Sequence, residues 1–580
     1  MDVTSTTTNN HGRRRRLVLL PLPFQGHIKP MLQLANILDA NGFSITILHT
    51  LFNSPNPTNY PHFTFLPIPG TTYENLSAAC DIYNVIDLFS YLNNENYMEQ
   101  IKEHLSRLMM SEGGVVYLIT DVNWFGTQKV ADDLKLPRIV LVTGSIAAFH
   151  SFVTFQRLHD RGIITDQEIK SGVLVPGLEP LKVKDLSRIF HRNLEGSFKI
   201  LESMKQGIRL ARTTIWNTFK ELEELELETL SHDFPGPHFL IGPFHKHFSA
   251  SSSSLLVQDQ TSITWLDKHP PHSVLYVSFG SVAAIDESKF LEIAWGLANS
   301  KQPFLWVVRP GSIKGSKGLE LLPDGFLENI VSGRGYIVKW APQQEVLAHP
   351  ATCAFWTHNG WNSTLESICE GVPMICSPSF GDQLTNARYV SDVWKIGVVL
   401  ENGLERGEIE CAIKRVMLEK EGLEMRNRVM NWKDKVNFCL KKGGSSDSSL
   451  ENLDWYHSLF DRLKKSSTTF FLFCFVAVSP PKISSSNGST LLYSSTSAPN
   501  EFRIFTCLPL LVPASELIWL SQLYGYECGF RRICNRVRII KIMDYVVPTL
   551  AETNMLGVIY ECRLIGNYHD WMIAKPNGCG

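Results

Sequence analysis

The amino-acid sequence predicts an α/β protein in which two Rossmann-like domains, each a doubly wound parallel sheet, face each other across a cleft. The first observation is an alternation of short apolar runs with segments of helical periodicity, which begins at Leu17. The second is a serine-rich interruption between Phe248 and Gln260, after which the alternation starts again. Because open α/β sheets bind ligands at the carboxyl ends of their strands, we expect one site shared by both halves.

The first half is expected to begin with a strand at Leu17–Leu22, a continuous apolar run. A helix follows, with apolar residues at helical spacing and a closing glycine at Gly42. The less regular stretch 51–111 is typical of a variable pocket. Three more strands are predicted at Ser44–His49, Val115–Thr120 and Arg138–Val142.

The second half repeats this pattern after the serine-rich segment. Its strands are predicted at Val274–Phe279, Phe304–Val308, Ala354–Thr357, Met374–Ser377 and Gly397–Leu400. Its helices are predicted near Asp286–Asn299, Ser363–Glu370 and Glu408–Leu418. Two halves of similar size, joined by a linker, are therefore expected.

Composition and charge exclude several functional classes. The chain has 580 residues, of which 44% are hydrophobic and 19% charged, which is enough apolar material for sizeable cores. Its formal net charge is −2, so nucleic-acid binding lacks electrostatic support. No uninterrupted apolar run approaches the roughly 18 residues of a spanning helix, and we do not expect an integral membrane protein.

The N-terminus and the cysteines indicate a cytoplasmic protein. An apolar run from Leu17 to Phe24 follows four arginines, but it is short, contains two prolines and lacks a small-residue cleavage site. Of the twelve cysteines, six precede residue 460 without paired metal-type spacing. This pattern favours reduced thiols in the core.

The last part of the chain differs in character. After about Lys465 the sequence has serine-rich pieces, scattered apolar runs and half of all the cysteines. No fold follows from this pattern, so residues 465–580 are expected to be an anomalous tail of unknown fold or without fixed structure. Two origins stay open, a genuine appendage or a translated intron or run-on joined to a complete protein, and the second is favoured.

The segment from Trp340 to Gln383 carries the strongest chemical signal. Its middle predicts a strand that ends at His358, a glycine-containing turn, and a helix that begins near Ser363. Such a turn presents free backbone N–H groups and the positive end of the helix dipole, which suits a phosphate. Ser363 and Glu366 alone also fit a capping box, which needs no ligand.

The neighbouring side chains favour a nucleotide-sugar over a simple capping box. Trp340 can stack on a base, while Gln343 and Glu366 can hydrogen-bond ring edges and ribose hydroxyls. Asp382 and Gln383 can bind sugar hydroxyls. A nucleotide-sugar requires all of these functions together.

This 44-residue segment resembles, without a gap, the signature of plant family-1 UDP-dependent glycosyltransferases, which have a GT-B fold and act on small lipophilic acceptors. The resemblance covers roughly Arg14 to Leu463, with further landmarks at Trp216–Phe219, Ile241–Phe244 and Ser278–Ser281. It is nearest the branch that includes diterpenoid and iridoid glucosyltransferases. The implied divisions are a disordered N-terminus (1–13), an acceptor-binding domain (14–245), a linker (246–261), a UDP-sugar-binding domain (262–448), a crossover helix (449–464) and the tail (465–580).

The resemblance also implies roles for individual residues of the donor site. Trp340 would stack on uracil, Gln343 would contact the uridine and Glu366 would bind the ribose hydroxyls. A glutamine at the last signature position, here Gln383, accompanies a preference for UDP-glucose in this family. The implied phosphate contacts are Ser281, His358, Asn362 and Ser363, the implied sugar contacts are Trp361, Asp382 and Gln383, and Ala341 and Gly360 complete the implied donor site.

A second group of chemical residues lies in the first half. His27 follows the first strand, and a neutral imidazole has a suitable pKa for removing a proton from an acceptor hydroxyl near pH 7. Asp121 ends a predicted strand, where it is placed either to orient that imidazole or to cap a helix. A structural role for His27 also stays open on position alone, but the resemblance matches His27 and Asp121 to the family's general base and its partner.

The implied reaction is a single displacement with inversion, which converts an α-linked UDP-glucose donor into a β-glucoside. The start of the helix near Ser363 and His358 would meet the charge of the leaving diphosphate, so we expect no metal or other cofactor. The chain also contains no Asp-X-Asp triplet, a usual metal-holding feature of the other large glycosyltransferase fold. A monomer is expected.

The acceptor is the least determined part of the prediction. Its pocket is assigned to residues 51–111 and 145–205, whose apolar and aromatic side chains suit a terpenoid, flavonoid or phenolic with one reactive hydroxyl or carboxyl. Two departures from the family pattern bear on this choice, Lys29 in place of the usual Asn and Gly144 in place of Ser or Thr. The residues expected on the acceptor side are Gly26, Thr143, Gly144 and Phe149.

The sequence leaves two alternative functions, a silent binding protein and an oxidoreductase. A catalytically silent UDP-sugar-binding protein, impaired by its tail, would bind UDP without transferring a sugar. A nicotinamide-dependent oxidoreductase would share the doubly wound pattern, but no G-x-G-x-x-G opens a helix after a strand.

Overall fold

Two parallel sheets organise the part of the chain that the structure describes. This structure is a computed structural model, and the residues described are 14–69, 85–111, 114–164, 172–187, 193–248, 256–282, 284–315, 319–323, 325–328 and 332–453. The predicted N-terminus 1–13 and tail 465–580 lie outside the described residues. The same holds for 249–255 of the predicted linker and 454–464 of the predicted crossover helix.

The first sheet has seven described strands in the order β3-β2-β1-β4-β5-β6-β7, and every neighbouring pair is parallel. The strands are β1 Arg16–Leu20, β2 Ser44–Thr50, β3 Thr64–Ile68, β4 Tyr117–Asp121, β5 Arg138–Val142, β6 Thr213–Trp216 and β7 His238–Leu240. Its helices are α1 Gln25–Ala40, α2 Val85–Leu92, α3 Glu95–Met110, α4 Thr127–Asp133, α5 Ile146–Asp160, α6 Leu194–Leu210 and α7 Lys220–Asp233.

The second sheet has six described strands in the order β10-β9-β8-β11-β12-β13, again all parallel. The strands are β8 Val274–Ser278, β9 Phe304–Val307, β10 Gly335–Val338, β11 Thr352–Thr357, β12 Met374–Cys376 and β13 Gly397–Val399. Its helices are α8 Thr261–Leu266, α9 Glu287–Ser300, α10 Gln343–Ala348, α11 Trp361–Glu370, α12 Gln383–Arg388, α13 Arg406–Met417 and α14 Lys420–Cys439.

The predicted α/β class is confirmed, and each predicted strand is present within two residues of its expected ends. The strands that sequence patterns found easily are buried along their whole length, as β4, β5, β8 and β11 are. Helices cover both faces of these strands, so their sequences are continuously apolar. Helix α11 begins at Trp361, two residues before the predicted start at Ser363.

Each sheet reverses its strand order at one point, between β1 and β4 in the first sheet and between β8 and β11 in the second. At such a switch point the connections run to opposite sides, which leaves a crevice at the carboxyl ends of the two strands. The paired strand ends are Leu20 with Thr120 in the first sheet and Ser278 with Thr357 in the second. Functional side chains are therefore expected just beyond these four residues.

The chain returns to the first domain after α14. Residues 445–453 are helical, and Leu453 is buried in the core that contains Leu17, Ile45 and Phe244 of the first domain. Ser446 donates from Oγ to the carbonyl oxygen of Gly242, 2.6 Å away. These contacts fasten the end of the described chain to the acceptor-side half.

Candidate active site

A cavity of about 510 Å³ lies between the two domains and is lined by residues from both. From the first domain it receives the segments that follow β1, β4 and β5, and from the second those that follow β8 and β11. The two switch points thus contribute to the same cavity. Most of the residues predicted for the site line it: Gly26, His27, Thr143, Gly144, Phe149, Ser281, Trp340, Ala341, Gln343, His358, Gly360, Trp361, Asn362, Ser363, Asp382 and Gln383.

The catalytic candidates form a hydrogen-bonded group at the carboxyl ends of β1, β4 and β5. His27 Nδ1 lies 2.7 Å from Asp121 Oδ2, and the hydroxyl of Thr143 lies 2.9 Å from the same nitrogen. Asp121 is fully buried, while the His27 side chain is 28% exposed. Because a carboxylate accepts from Nδ1–H, Nε2 of His27 is the nitrogen left to take a proton.

Two opposing effects set the pKa of His27. Burial lowers the pKa, but the negative charge of Asp121 and its hydrogen bond, together with the more distant Asp382, outweigh burial and raise the pKa above 6.5. An imidazole with a raised pKa is a stronger base. His27 is therefore equipped to accept a proton while Asp121 stabilises the cation that forms.

Asp121 is not a helix cap, the alternative that its sequence position left open. It is the last residue of β4, and its Oδ1 accepts from the backbone N–H and the side-chain amide of Asn123, at 3.0 and 2.8 Å. Asn123 was not predicted from the sequence, although an amide two residues after an aspartate is a recognisable turn pattern. Its two donors hold one carboxylate oxygen so that the other faces His27.

His358 is enclosed by two glycines at the second switch point. A Cβ at Gly280 would lie 2.5 Å from Nε2 of His358, and a Cβ at Gly360 would lie 2.6 Å from it. Gly280 also has a φ of +77°, which favours glycine. Burial, together with the Arg309 cation, lowers the pKa of His358 to about 4, although a hydrogen bond with the Ser278 backbone opposes them. The ring is neutral at neutral pH and can donate an uncharged N–H to a phosphate.

Helix α11 presents its N-terminus to the cavity without a side-chain cap. Its N-cap is Gly360, so Ser363 is an interior residue and the capping box between Ser363 and Glu366 does not form. The backbone N–H of Trp361 hydrogen-bonds the carboxylate of Asp382, and without a side-chain cap the N–H groups that follow it suit an anion. The Asn362 amide donates to the carbonyl oxygen of Gly26, 2.8 Å away in the first domain. The predicted phosphate contact thus also fastens the residue before His27.

The residues predicted to bind the uridine form a compact polar cluster. Gln343 Nε2 donates to Ser363 Oγ at 3.0 Å and to Glu366 Oε2 at 2.7 Å. The hydroxyl of Tyr276 donates to Gln343 Oε1 at 3.3 Å. Glu366 is 1% exposed and lies behind these side chains. Trp340 and Ala341 line the cavity just before Gln343 in the chain.

Two of the residues predicted to bind the sugar, Asp382 and Gln383, lie at the start of α12. Burial raises the pKa of Asp382, although the Asn386 amide, which donates to Oδ2 at 2.9 Å, opposes this effect. Gln383 Oε1 accepts from the backbone N–H groups of Ser379 and Phe380, at 2.9 and 3.3 Å. Its oxygen therefore shapes the preceding loop, which leaves the amide nitrogen as its donor to a hydroxyl.

The predicted sugar contact Trp361 has a mainly structural side chain. Its indole is 2% exposed and donates from Nε1 to the carbonyl oxygen of Asn217, 2.8 Å away in the first domain. Any sugar contact by Trp361 is therefore left to its backbone. The sequence could not separate these roles, because both place a tryptophan at the helix start.

The acceptor side of the cavity is mostly apolar. Phe149 packs edge-on against Trp216 and Phe234, which fixes its ring at one wall. Gly144 adds no side chain, and a Cβ there would lie 3.9 Å from Asp382 Oδ2. The other apolar lining residues on this side are Leu22, Phe24, Ile86, Leu88, Phe89, Val122, Val142, Phe152, Ile200 and Met204.

The comparisons with known proteins agree with this geometry. Residues 233–432 match the family model described as UDP-glucoronosyl and UDP-glucosyl transferase. The chain is 49% identical over 440 residues to UDP-glycosyltransferase 76B1 of Arabidopsis thaliana, covering 76% of this chain and 97% of that protein. It is 50% identical over 461 residues to UDP-glycosyltransferase 76G1 of Stevia rebaudiana, covering 78% and 99%. The chain belongs to plant family 1 of the UDP-glycosyltransferases.

Solved structures show the same GT-B architecture for this family-1 glycosyltransferase. Phytolacca americana UGT2, complexed with UDP-2fluoro-glucose and pterostilbene, matches with a TM-score of 0.65 and 28% identity, over 77% of this chain and all of that one. TcCGT1 in complex with UDP matches with a TM-score of 0.66 and 27% identity, over 77% and 99%. The resemblance recognised in the signature segment is thereby confirmed, and the chain is an enzyme that transfers sugars from a UDP-sugar donor to small metabolites.

Proposed function

We propose that this glycosyltransferase is an inverting, UDP-glucose-dependent O-glucosyltransferase that converts a small lipophilic plant metabolite into its β-glucoside. The observation that carries the proposal is the His27–Asp121 pair, 2.7 Å apart, on the same cavity as the donor residues of the second domain. A base and a donor site on one cavity are what direct displacement requires.

In the proposed mechanism, His27 Nε2 removes the proton of an acceptor hydroxyl. The oxygen then attacks the anomeric carbon from the face opposite UDP, and the glycosidic bond to the diphosphate breaks. One displacement inverts the configuration, so an α-linked donor gives a β-product. Asp121 stabilises the imidazolium during this step, and Thr143 helps to hold the ring at Nδ1.

The leaving UDP is proposed to be stabilised by the protein alone. The start of α11, which has no side-chain cap, and the neutral His358 are proposed to bind the diphosphate. Ser281 and Ser363 add hydroxyls at the same wall. Asp382 and Gln383 are proposed to bind glucose hydroxyls, with Trp340 stacked on the uracil.

The acceptor class follows from the two sides of the cavity. An apolar wall built around Phe149, Phe89 and Phe152 favours a flat or polycyclic body, while the polar groups are concentrated near His27. A terpenoid, flavonoid or phenolic with one reactive hydroxyl or carboxyl fits this distribution. Membership of the diterpenoid and iridoid branch remains a prediction.

We further propose that the enzyme works in the cytoplasm as a monomer. The five cysteines among the described residues, Cys353, Cys369, Cys376, Cys411 and Cys439, are unpaired thiols, as a reducing compartment favours. No helix in the described part of the chain is long and apolar enough to cross a membrane.

The test is UDP release from UDP-glucose by the full-length chain, measured across a panel of terpenoid acids, flavonols and simple phenols. We expect acceptor-dependent release that His27→Ala abolishes, with an inverted β-linkage in the product. UDP binding without release for any acceptor would instead support the silent-binder alternative. Release with UDP-galactose or UDP-glucuronate but not with UDP-glucose would refute the proposed donor.

A further inference from the structure

Lys29, a departure from the family pattern, reaches across the cleft into the donor domain. It lies in α1 of the first domain, and its Nζ donates to Glu366 Oε1 of α11 at 2.5 Å. The two residues are 337 positions apart in the sequence. Both side chains are largely buried, with 19% of Lys29 and 2% of Glu366 exposed. This ion pair therefore joins the two domains inside the site.

The carboxylate of Glu366 is held by three donors. Besides Lys29, Gln344 Nε2 donates to Oε1 at 3.0 Å, and Gln343 Nε2 donates to Oε2 at 2.7 Å. A carboxylate offers about four acceptor positions. Oε1 receives two donors and Oε2 only one, so Oε2 retains a position for a further hydroxyl.

Lys29 supplies the charge that keeps this carboxylate ionised. Burial raises the pKa of Glu366, but the attraction of Lys29 and His245 and the hydrogen bonds of Lys29 and Gln344 outweigh it and hold the pKa at about 2. The next acid on the same helix face, Glu370, has its own partners in Lys246 and Lys433. Lys29 is thus the cation dedicated to Glu366.

We propose that Lys29 is a positioning residue of the donor site, which holds the Glu366 carboxylate so that Oε2 accepts a ribose hydroxyl of the UDP-sugar. Lys29 lines the cavity itself, whereas Glu366 lies behind it, so the ammonium fixes the carboxylate from the acceptor side. This inference rests on the proposed role of Glu366 in ribose binding.

A second ion pair between the domains offers a control that separates a role of Lys29 in donor binding from a role in holding the two domains together. Lys184 of the first domain and Glu401 of the second form another ion pair between the domains, and neither residue lines the cavity. Lys184→Met removes a pair of the same chemical type away from the nucleotide. A role in docking alone predicts similar effects for Lys184→Met and Lys29→Met.

The first experiment measures the binding of UDP to the full-length chain by calorimetry, with 2′-deoxy-UDP and 3′-deoxy-UDP as probes. We expect Lys29→Met to weaken UDP binding by about tenfold or more, as for loss of a charge-assisted hydrogen-bond network. It should weaken binding far less for the analogue that lacks the bound hydroxyl. Lys29→Arg should restore most of the affinity, and Lys184→Met should bind like the wild type.

Three results would overturn the inference: UDP affinity within twofold of the wild type in Lys29→Met, an equal loss for UDP and both deoxy analogues, or the same loss in Lys184→Met. These readouts need neither glucose nor an acceptor. A wild-type chain that binds UDP but transfers no glucose would refute the proposed function and leave this inference standing. A wild-type chain that fails to bind UDP would refute both.

A steady-state measurement completes the test. Lys29→Met should raise KM for the UDP-sugar by more than KM for the acceptor, because Glu366 belongs to α11 of the donor domain. A loss confined to kcat, with KM for the donor unchanged, would contradict a positioning role on the ribose.

Discussion

At the scale of single residues, the site depends on supporting residues that orient the candidate catalytic and binding side chains. Asp121 orients His27, and Asn123 in turn fixes the second oxygen of Asp121. His358 hydrogen-bonds the backbone of Ser278, and its ring fits between Gly280 and Gly360, where a side chain at either position would collide with it. Substitution of the supporting residues should therefore affect catalysis as clearly as substitution of those that contact substrate.

The pH dependence of catalysis should reveal the His27–Asp121 pair. As a base, His27 must be neutral, so kcat/KM should fall as the pH drops through its pKa, which lies above 6.5. Asp121→Asn removes the main cause of the raised pKa and should move this acid limb to lower pH. The maximum rate should also fall by roughly 10²–10⁴.

The measurement is a kcat/KM profile over pH for the wild type and Asp121→Asn. Asp382 also raises the pKa of His27, so the variant should retain part of the elevation. An acid limb that does not move in Asp121→Asn would show that a different group titrates.

A methyl group at Gly360 should disturb the diphosphate site without unfolding the protein. The φ of −58° at Gly360 is accessible to alanine, but the new Cβ would lie 2.6 Å from His358 Nε2. The ring must move, and we expect Gly360→Ala to raise KM for the UDP-sugar by roughly tenfold through loss of its hydrogen bond.

The matched control is Gly407→Ala on α13, where no atom lies within 4 Å of the added Cβ. The measurement is KM for the UDP-sugar in both variants by steady-state kinetics, with thermal unfolding to check that both are folded. Equal KM values for the two variants would show that His358 does not contribute to donor binding.

At the scale of elements, two helices of the second domain carry several of the predicted donor residues and also attach to the first domain. Helix α11 attaches through Asn362 and Glu366, and α12 through Asn386 and Arg388. Arg388 forms a buried, two-bond ion pair with Asp185 of the first domain, with N–O distances of 2.9 and 3.1 Å. The geometry of the donor site is thus coupled to domain contact.

Arg388→Met should destabilise the protein substantially, because it leaves Asp185 buried without its main partner. The expected loss is about 3–5 kcal/mol, the usual result of removing one member of a buried ion pair. The Arg388→Met/Asp185→Asn double variant should lose less than the sum of the two single variants. Urea unfolding measures all three, and a loss below about 1 kcal/mol for Arg388→Met would show that the pair is exposed in solution.

At the scale of the whole molecule, the reaction is expected to proceed without a divalent cation. The start of α11 and His358 are proposed to meet the diphosphate charge instead. Glucosyl transfer should retain its full rate after treatment with EDTA. A loss of activity that magnesium restores would contradict this mechanism.

Much of the fold could be predicted because the central strands are continuously apolar and separated by helical patterns. The strands that escaped prediction lack this signal. Strand β3 is a partly exposed edge strand of the first sheet, β6 begins with two threonines, β7 has only three residues, and β10 is half-buried at an edge of the second sheet. Their place is set by pairing with neighbours, which a local pattern does not encode.

The candidate site was predictable where its functional residues lie close together in the sequence or directly follow a recognisable strand. The signature segment places donor residues within 44 consecutive positions, and His27 and Asp121 each follow an apolar run. The contacts between the domains were not predictable, because their partners are distant in sequence. Lys29 and Glu366 are 337 positions apart, and Gly26 and Asn362 are 336 apart. Only the three-dimensional structure shows that Asn362 also bonds the first domain and that Lys29 pairs with Glu366.

The division of the cavity between two domains has a consequence for protein engineering. Recombining the first half of one family member with the second half of another should exchange acceptor preference while retaining the donor. The residues that meet across the cleft, however, form matched partners: Lys29 with Glu366, Ser145 with Asn386, and Asp185 with Arg388. A chimaera of two such halves separates these partners and can leave them mismatched. In a productive chimaera, point substitutions in one half should therefore restore both members of each pair to the residues of a single parent.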